Sequence, residues 1–231
     1  MPAPSESAAP PGIACGRFVT FEGIEGAGKS TQLELLSARV RESGRDLLVT
    51  REPGGTTLGE KLRSLLLDPA IEPMVAETEL LLIFAARAEH LRRCIEPALA
   101  RGTWVFCDRF TDASFAYQGA GRGLGVGKVA VLEDWLQGPL RPDLVLLFDV
   151  SARLGLERAV SRGKRDRMES EDLAFFERAR EAYLQRARAR PERYRVIDGS
   201  ADINTVANAV ERAWSDWIAQ MADAGAERGH P

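Results

Sequence analysis

The stretch FEGIEGAGKST, at residues 21–31, decides the fold of this chain. An apolar run, RFVTF, precedes it, and the residues after it carry apolar side chains at helical spacing. Residues 23–30 match the pattern G-x-x-x-x-G-K-[S/T]. The glycines of this pattern let the backbone turn tightly and bring its N–H groups close to phosphate oxygens. The pattern therefore predicts a phosphate-binding loop between a strand and a helix.

This loop predicts ATP as a ligand and Mg²⁺ as its cation. Lys29 is one of four lysines among 31 basic residues. Its flexible ammonium group suits the β- and γ-phosphates, for which the rigid fork of an arginine is no equivalent. The Ser30 hydroxyl is expected to bind Mg²⁺. We predict ATP contacts along the whole loop, from Gly23, Ile24, Glu25, Gly26, Ala27, Gly28, Lys29 and Ser30.

Glu25 is the anomaly of this loop, because a carboxylate that pointed into the cradle would repel a phosphate. We therefore expect its side chain to point outward, toward a phosphate acceptor or a Mg²⁺-bound water. The loop also contains no arginine. The catalytic cation is accordingly expected elsewhere in the chain.

Five short apolar runs alternate with longer helical patterns. They are RFVTFEG (17–23), DLLVT (46–50), TWVFCD (103–108), DLVLLFDV (143–150) and YRVID (194–198). Such mostly apolar runs are typical of strands covered on both faces, and the spans between them are long enough for crossover helices. The order predicts an α/β fold with a doubly wound, five-stranded parallel sheet flanked by helices.

Composition limits the domain count and the partners. Residues 17–221 are predicted to form one domain between disordered tails at 1–16 and 222–231, because both tails are rich in small and polar residues. A net charge of −3 argues against a nucleic-acid polymer as partner. No apolar run approaches membrane-spanning length. Cys15, Cys94 and Cys107 are few and far apart, which indicates a reduced, cytoplasmic protein without disulfides.

A phosphate-binding loop of this kind is found in small-molecule kinases, among other proteins. A kinase would also need a site for the phosphate acceptor, and four segments offer candidates for that site. They are REPGG (51–55), a helix with Phe84 and Arg87, the dipeptide DR (108–109) and SFAYQGAGRG (114–123). Together they supply arginines for a phosphate and aromatic or amide groups for a base. From the residues alone, Phe84 fits the core better, and the arginines in the first and third segments could form surface ion pairs.

In order and spacing, six motifs resemble those of the bacterial thymidylate kinase family over roughly residues 17–220. They are FEGIEGAGKST, TREPGGT, FAARAEH, DRFTDASFAYQGAGRG, RPDLVLLFDV and RGKRDRMESE. The resemblance implies a P-loop nucleoside-monophosphate kinase that uses ATP and Mg²⁺ and forms a homodimer. It implies transfer of the ATP γ-phosphate to dTMP, which gives dTDP.

The resemblance also implies roles for single residues. Phe84 would stack on thymine, and Arg87 would hydrogen-bond its edge. The remaining dTMP contacts would come from Arg51 and Arg109 at the phosphate, Tyr117 near the sugar 2′ position, and Ser114 and Gln118 at the base. Asp108 would lie near Mg²⁺, and Glu25 near the acceptor sugar and phosphate.

Residues 158–171, RAVSRGKRDRMESE, form a basic segment that interrupts a helical pattern. A charge run of this kind is usually a solvated face, but the resemblance implies a lid over ATP. A lid arginine could stabilise the charge of the transition state. Arg162 and Arg165 are the leading candidates, and they join Lys29, Glu25 and Arg109 as the predicted catalytic residues. Adenine contacts are expected near residues 199–202.

Two alternatives stay open from the sequence. The first is a P-loop kinase that acts on a different nucleotide or a deoxynucleoside. The second is a non-catalytic ATP-binding module. A GTPase is disfavoured, because the chain contains no guanine-reading N-K-x-D element.

Overall fold

The computed structural model describes residues 16–161, 167–168 and 171–227. Within these ranges the chain forms a parallel sheet of five strands in the order β2-β3-β1-β4-β5. The strands are β1 Phe18–Glu22, β2 Leu47–Arg51, β3 Trp104–Asp108, β4 Leu144–Asp149 and β5 Tyr194–Asp198. The predicted fold class is confirmed, and each strand bound lies within one residue of the predicted one.

Helices connect the strands in the described ranges. They are α1 Lys29–Glu42, α2 Thr57–Leu67, α3 Ala76–His90, α4 Glu96–Ala100, α5 Thr111–Ser114, α6 Val126–Gln137, α7 Ala152–Val160, α8 Leu173–Ala189 and α9 Ile203–Glu227. Two π-helical segments, Leu91–Ile95 and Phe115–Gly121, follow α3 and α5. None of the described helices is long and apolar enough to cross a membrane.

The central strand β1 is buried along its whole length and contributes to the core on both sides of the sheet. Val19 and Phe21 pack in the larger hydrophobic cluster, which also contains residues of α1, α8 and α9. Phe18 packs in a second cluster, beside the segment that follows α3. Side chains alternate between the faces of a strand, so covering both faces requires apolar residues at consecutive positions.

The C-terminal helix extends past the predicted end of the domain. α9 continues to Glu227. The prediction that a C-terminal tail starts at residue 222 is therefore wrong. The residues MADAGAE at 221–227 include methionine, alanine and glutamate, which have high helix propensity and can prolong an existing helix at little cost. Most of the predicted N-terminal tail, at residues 1–15, lies outside the described residues.

Candidate active site

The carboxyl ends of β1, β2 and β3 open onto one cavity of about 270 Å³. Its wall runs from the phosphate-binding loop, across the start of the loop after β2 and the end of β3, to α3 and the π-helical segment after α5. Segments that are distant in sequence therefore share one space. Of the predicted dTMP contacts, Arg51, Arg87, Arg109, Ser114, Tyr117 and Gln118 line this cavity.

The phosphate-binding loop has the backbone geometry that its glycines predicted. Gly23, Gly26 and Gly28 have φ angles of 137°, 71° and 92°, a region that other residues rarely adopt. A side chain at Gly26 would also collide with the Gly155 carbonyl. A Cβ at Gly28 would meet open space instead. Gly26 is therefore required for packing as well as for its φ angle, whereas Gly28 leaves one side of the loop clear.

The N-terminus of α1 is arranged to receive an anion. Its N-cap is Gly28, which provides no side chain to accept from the first N–H groups of the helix. Three other helices begin with a capping side chain, at Thr56, Ser151 and Asp172. Unsatisfied N–H groups at a helix N-terminus attract phosphate. The loop therefore presents N–H donors without a capping side chain, as the starts of α3 and α6 also do.

Lys29 is buried and folded back onto its own loop. Its Nζ donates to the carbonyl oxygens of Gly23 at 3.0 Å and Ile24 at 2.9 Å. Burial, together with the nearby Arg109 guanidinium, lowers the pKa of the Lys29 ammonium to about 8. An incoming triphosphate would supply the missing negative charge. The lysine is thus held where phosphate binding favours its charged form.

Ser30 and Asp108 supply oxygen donors suited to Mg²⁺. The Ser30 hydroxyl donates to Asp108 Oδ2 at 3.1 Å. The other carboxylate oxygen, Oδ1, is buried and has no hydrogen-bond partner among the described residues. No group of three or more His, Cys, Asp or Glu side chains in the described ranges forms a metal cluster. Mg²⁺ commonly uses one or two carboxylates plus phosphates and waters, so this sparse donor set fits it.

Glu25 forms an ion pair with Arg109, across the loop from Lys29. The Arg109 guanidinium donates through Nη2 to the Glu25 carboxylate and through Nη1 to the Gly23 carbonyl at 2.8 Å. It also lies over the Tyr117 ring, at 5.0 Å from the centroid. The Glu25 carboxylate thus contacts Arg109. Its placement toward a phosphate acceptor or a Mg²⁺-bound water stays a prediction, as does its catalytic role.

Arg109 has a constrained backbone. Its φ of 68° places it in the left-handed region, where a residue with a side chain costs about 1 kcal/mol or more. The Arg109 N–H donates to the Phe21 carbonyl at 3.0 Å, which ties this turn to β1. Two further arginines, Arg51 and Arg63, line the same cavity. Arg63 lies on α2, at a position that no sequence motif marks, and so was not predicted as a site residue.

Arg87 is the most constrained charge at the far end of the cavity. Its Nε donates to Glu52 at 2.6 Å, and its Nη2 donates to the Phe110 carbonyl and the Ser114 hydroxyl. Nη1 is buried and has no partner among the described residues. Glu52 also contacts the His90 ring at 3.0 Å. Hydrogen bonds from Nε and Nη2 therefore fix the orientation of the guanidinium, and Nη1 is the nitrogen without a described partner.

Phe84 does not line the cavity but packs in a hydrophobic cluster with Leu80 and Phe115. The face of α3 that does line it carries Glu79, Ile83 and Arg87, which are spaced four residues apart. Phe84 lies one residue after Ile83 and so faces the core. Its predicted stacking role stays a prediction, and the structure places an aliphatic side chain at the cavity wall.

Ser114, Tyr117 and Gln118 line the cavity from α5 and the π-helical segment after it, and Ser114 hydrogen-bonds Arg87 of α3. The Tyr117 ring packs against Phe175, and burial raises the pKa of its hydroxyl well above the ordinary value. Gln118 donates through Nε2 to Glu79 at 2.8 Å. Glu79 was not predicted from the sequence, because a single glutamate on a helix does not by itself indicate a site.

The basic segment is described only in part. Arg162, Lys164 and Arg165, which include both candidate lid arginines, lie outside the described residues. Arg158 donates to the carbonyls of Gly199 and Ser200, in the region predicted to contact adenine. Arg167 donates to the Leu66 carbonyl and to Glu79. The two described arginines of this segment therefore hold its two ends against the body of the domain.

Comparison with known proteins identifies the family. Residues 21–210 match the family model described as thymidylate kinase. The chain belongs to the thymidylate kinase family. It is 58% identical over 194 residues to a thymidylate kinase from Pseudomonas putida, covering 84% of this chain and 94% of the relative. It is 57% identical over 196 residues to one from Pseudomonas entomophila, covering 85% and 93%.

The fold comparison agrees with the sequence comparison. A crystal structure of thymidylate kinase from Ehrlichia chaffeensis superposes with a TM-score of 0.72 at 33% identity. The match covers 87% of this chain and 99% of the other. The matched range, residues 21–210, includes the motifs from the phosphate-binding loop to the segment after β4.

Proposed function

We propose that this chain phosphorylates dTMP to dTDP, with ATP as donor and Mg²⁺ as cofactor. The observation that carries the proposal is the continuous cavity between the phosphate-binding loop and Arg87. It has anion-binding groups at one end, arginines in its middle and a buried donor at the other end. A triphosphate, an acceptor phosphate and a base would occupy these three parts in that order.

The base would lie between Ile83 on one wall and Tyr117 on the other, both of which line the cavity. Arg87 Nη1 is a buried donor without a described partner, so a ligand oxygen there would remove an unfavourable state. The 4-oxo group of thymine has the required acceptor chemistry. Arg51, Arg63 and Arg109 surround the middle of the cavity, where they would hold the acceptor phosphate.

The transfer needs no general base. A phosphate monoester has a second pKa near 6, so the acceptor is already largely a dianion at neutral pH. The protein would align the two phosphates and neutralise the charge that develops between them. Lys29 and Arg109 are two of the cavity-lining cations that would do so, and Glu25 would orient Arg109 through their ion pair.

Mg²⁺ would be held by Ser30, Asp108 and the phosphates of ATP. The metal would neutralise charge on the β- and γ-phosphates. The unpartnered Oδ1 of Asp108 and the paired hydroxyl of Ser30 are oxygen donors of the kind that Mg²⁺ prefers.

A coupled assay with an acceptor panel tests the proposal. ATP turnover would be measured with dTMP, dUMP, AMP, CMP and thymidine, and the highest kcat/KM is expected with dTMP. A better non-thymine acceptor would replace the proposal with another nucleotide kinase. ATP binding without turnover on any acceptor would indicate a non-catalytic module. The variant Arg109→Lys separates these cases further, because only an enzyme has turnover to lose.

We also propose that the protein is a homodimer that works in the cytoplasm. Helices α3 and α6 lie side by side and leave large apolar side chains exposed, at Leu81, Val126, Val131 and Trp135. Trp135 is 80% exposed, which is unusual for a tryptophan. Light scattering of the wild type should give twice the mass of the chain, and Trp135→Lys should shift it toward the monomer. A monomeric wild type at micromolar concentration would exclude the dimer.

A further inference from the structure

Glu79 is a fully buried carboxylate in the wall of the cavity, and the proposed transfer makes no use of it. It lies on α3, one helical turn before Ile83 and two before Arg87. A buried carboxylate is costly unless it is paired and hydrogen-bonded. The burial of Glu79 at the base end of the cavity therefore requires partners that offset this cost.

Both carboxylate oxygens of Glu79 accept hydrogen bonds from neighbouring side chains. Oε1 accepts from Gln118 Nε2 at 2.8 Å and from Arg122 Nε at 3.2 Å. Oε2 accepts from Arg122 Nη2 at 3.1 Å and from Arg167 Nη2 at 2.7 Å. Burial opposes ionisation, but the hydrogen bonds from Arg122 and Gln118 outweigh it and hold the pKa of Glu79 below its ordinary value. The group is therefore an anion that only accepts.

This anion fixes the orientation of the Gln118 amide. Because Glu79 cannot donate, Gln118 must turn its NH₂ group toward Glu79. The amide oxygen then occupies the other branch of the side chain, away from Glu79. Gln118 lines the cavity, so the polar character it offers to a ligand is that of an acceptor.

The cavity thus offers a donor and an acceptor near its base end. The donor would be Nη1 of Arg87, which is buried without a described partner, and the acceptor would be the Gln118 oxygen; both residues line the cavity. The imide edge of thymine or uracil has a carbonyl acceptor beside an N–H donor, which is complementary. Cytosine has the opposite arrangement, an amino donor beside a ring-nitrogen acceptor, and would leave buried groups unpaired.

We propose that Glu79 is a positioning residue that holds the Gln118 amide oxygen toward the base and so selects an imide-bearing pyrimidine over an aminopyrimidine. The inference rests on the proposed function, because it assumes that the acceptor base occupies this cavity. Arg122 and Arg167 neutralise the buried charge that makes the selection possible.

The variant Glu79→Gln tests the inference with nearly unchanged shape. An amide oxygen in the place of Oε2 can still accept from Arg122 Nη2 and Arg167 Nη2. The NH₂ group then takes the place of Oε1, where it loses the hydrogen bond from Arg122 Nε, faces Gln118 and turns that amide around. Gln118 then offers a donor to the cavity, which matches the ring-nitrogen acceptor of cytosine. We expect the ratio of kcat/KM for dTMP to that for dCMP to fall by about tenfold or more.

The measurement is the ratio of the two kcat/KM values on one preparation. This ratio does not depend on the folded fraction, because both values scale with it equally. Glu77→Gln on the same helix is the matched control, since Glu77 is exposed and pairs only with Lys128 at 3.5 Å among the described residues. The control should keep the wild-type ratio.

A dependence on Gln118 distinguishes positioning from a general loss of structure. In a Gln118→Ala background, Glu79→Gln should change the ratio no further. An unchanged ratio in Glu79→Gln, or an equal fall in both backgrounds, would overturn the inference. If Glu79→Gln gives no soluble protein, Gln118→Ala alone decides, since an unchanged ratio there would also overturn it. A wild type that does not phosphorylate dTMP would instead refute the proposed function.

Discussion

Neutralising one partner of the buried ion pair between Glu52 and Arg87 should strongly destabilise the folded protein. The Arg87 and Glu52 side chains are 1% and 3% exposed, and Nε lies 2.6 Å from Oε2. Glu52→Gln keeps the shape of the side chain but removes its charge. The Arg87 guanidinium would then remain buried without its counter-charge, and that state costs about 3–5 kcal/mol.

This free-energy cost corresponds to a measurable change in the ratio of unfolded to folded protein. At about 1.4 kcal/mol per tenfold change, the unfolded-to-folded ratio should rise by a factor between roughly a hundred and a few thousand. Urea denaturation of both proteins at neutral pH gives the difference in free energy of unfolding from their midpoints and slopes. KM for dTMP should also rise, because Arg87 loses the partner that fixes its orientation.

Glu77→Gln is the matched control for this experiment. Its pair with Lys128 joins two side chains that are each 60% exposed, so its removal should cost at most about 1 kcal/mol. A loss below about 1 kcal/mol in Glu52→Gln, equal to that of the control, would refute the reasoning. It would mean that water or another group compensates the Arg87 charge.

Glu25→Ala should reduce kcat more than ATP affinity, because Glu25 forms an ion pair with Arg109; titration calorimetry with ATP and steady-state kinetics separate the two. Loss of ATP binding with the KM for dTMP unchanged would contradict that placement. Burial, helped by the nearby Asp112 carboxylate, raises the pKa of Glu22 to about 8. The folded chain therefore keeps a proton there that the unfolded chain releases near 4.5, and stability falls as pH rises between these values. Glu22→Gln should reduce this fall by up to about 1.4 kcal/mol per pH unit, and denaturation profiles that coincide at every pH would exclude it.

Much of the fold could be predicted from local sequence signals. The strands are short apolar runs buried on both faces, and the glycine pattern at residues 23–30 marks the first crossover. The end of α9 was harder to predict, because small residues such as those at 222–227 are compatible with both a helix and a tail. Helix propagation from a docked segment decides between them, and a local pattern does not contain that information.

The two ends of the candidate site differed in how far sequence could describe them. The phosphate-binding loop is contiguous, so its motif contains its geometry. The base end is assembled from α3 and the π-helical segment after α5, and helix rotation decides which residues face the cavity. Spacing predicted that Phe84 and Arg87 share a helix face, and the Arg87 guanidinium does lie over the Phe84 ring, at 4.5 Å from its centroid. Spacing did not show that Ile83 and Glu79, and not Phe84, line the cavity beside Arg87. The partners of Glu79 lie 39 to 88 residues away, beyond any local pattern.

The central claim is direct transfer from ATP to the phosphate of dTMP. ATP labelled in its γ-phosphate, incubated with the protein, Mg²⁺ and dTMP, tests it in one product analysis. The label is expected in the β-phosphate of dTDP, with unlabelled ADP formed in equal amount. Label released as inorganic phosphate, or ATP left unconsumed while it binds, would contradict the account.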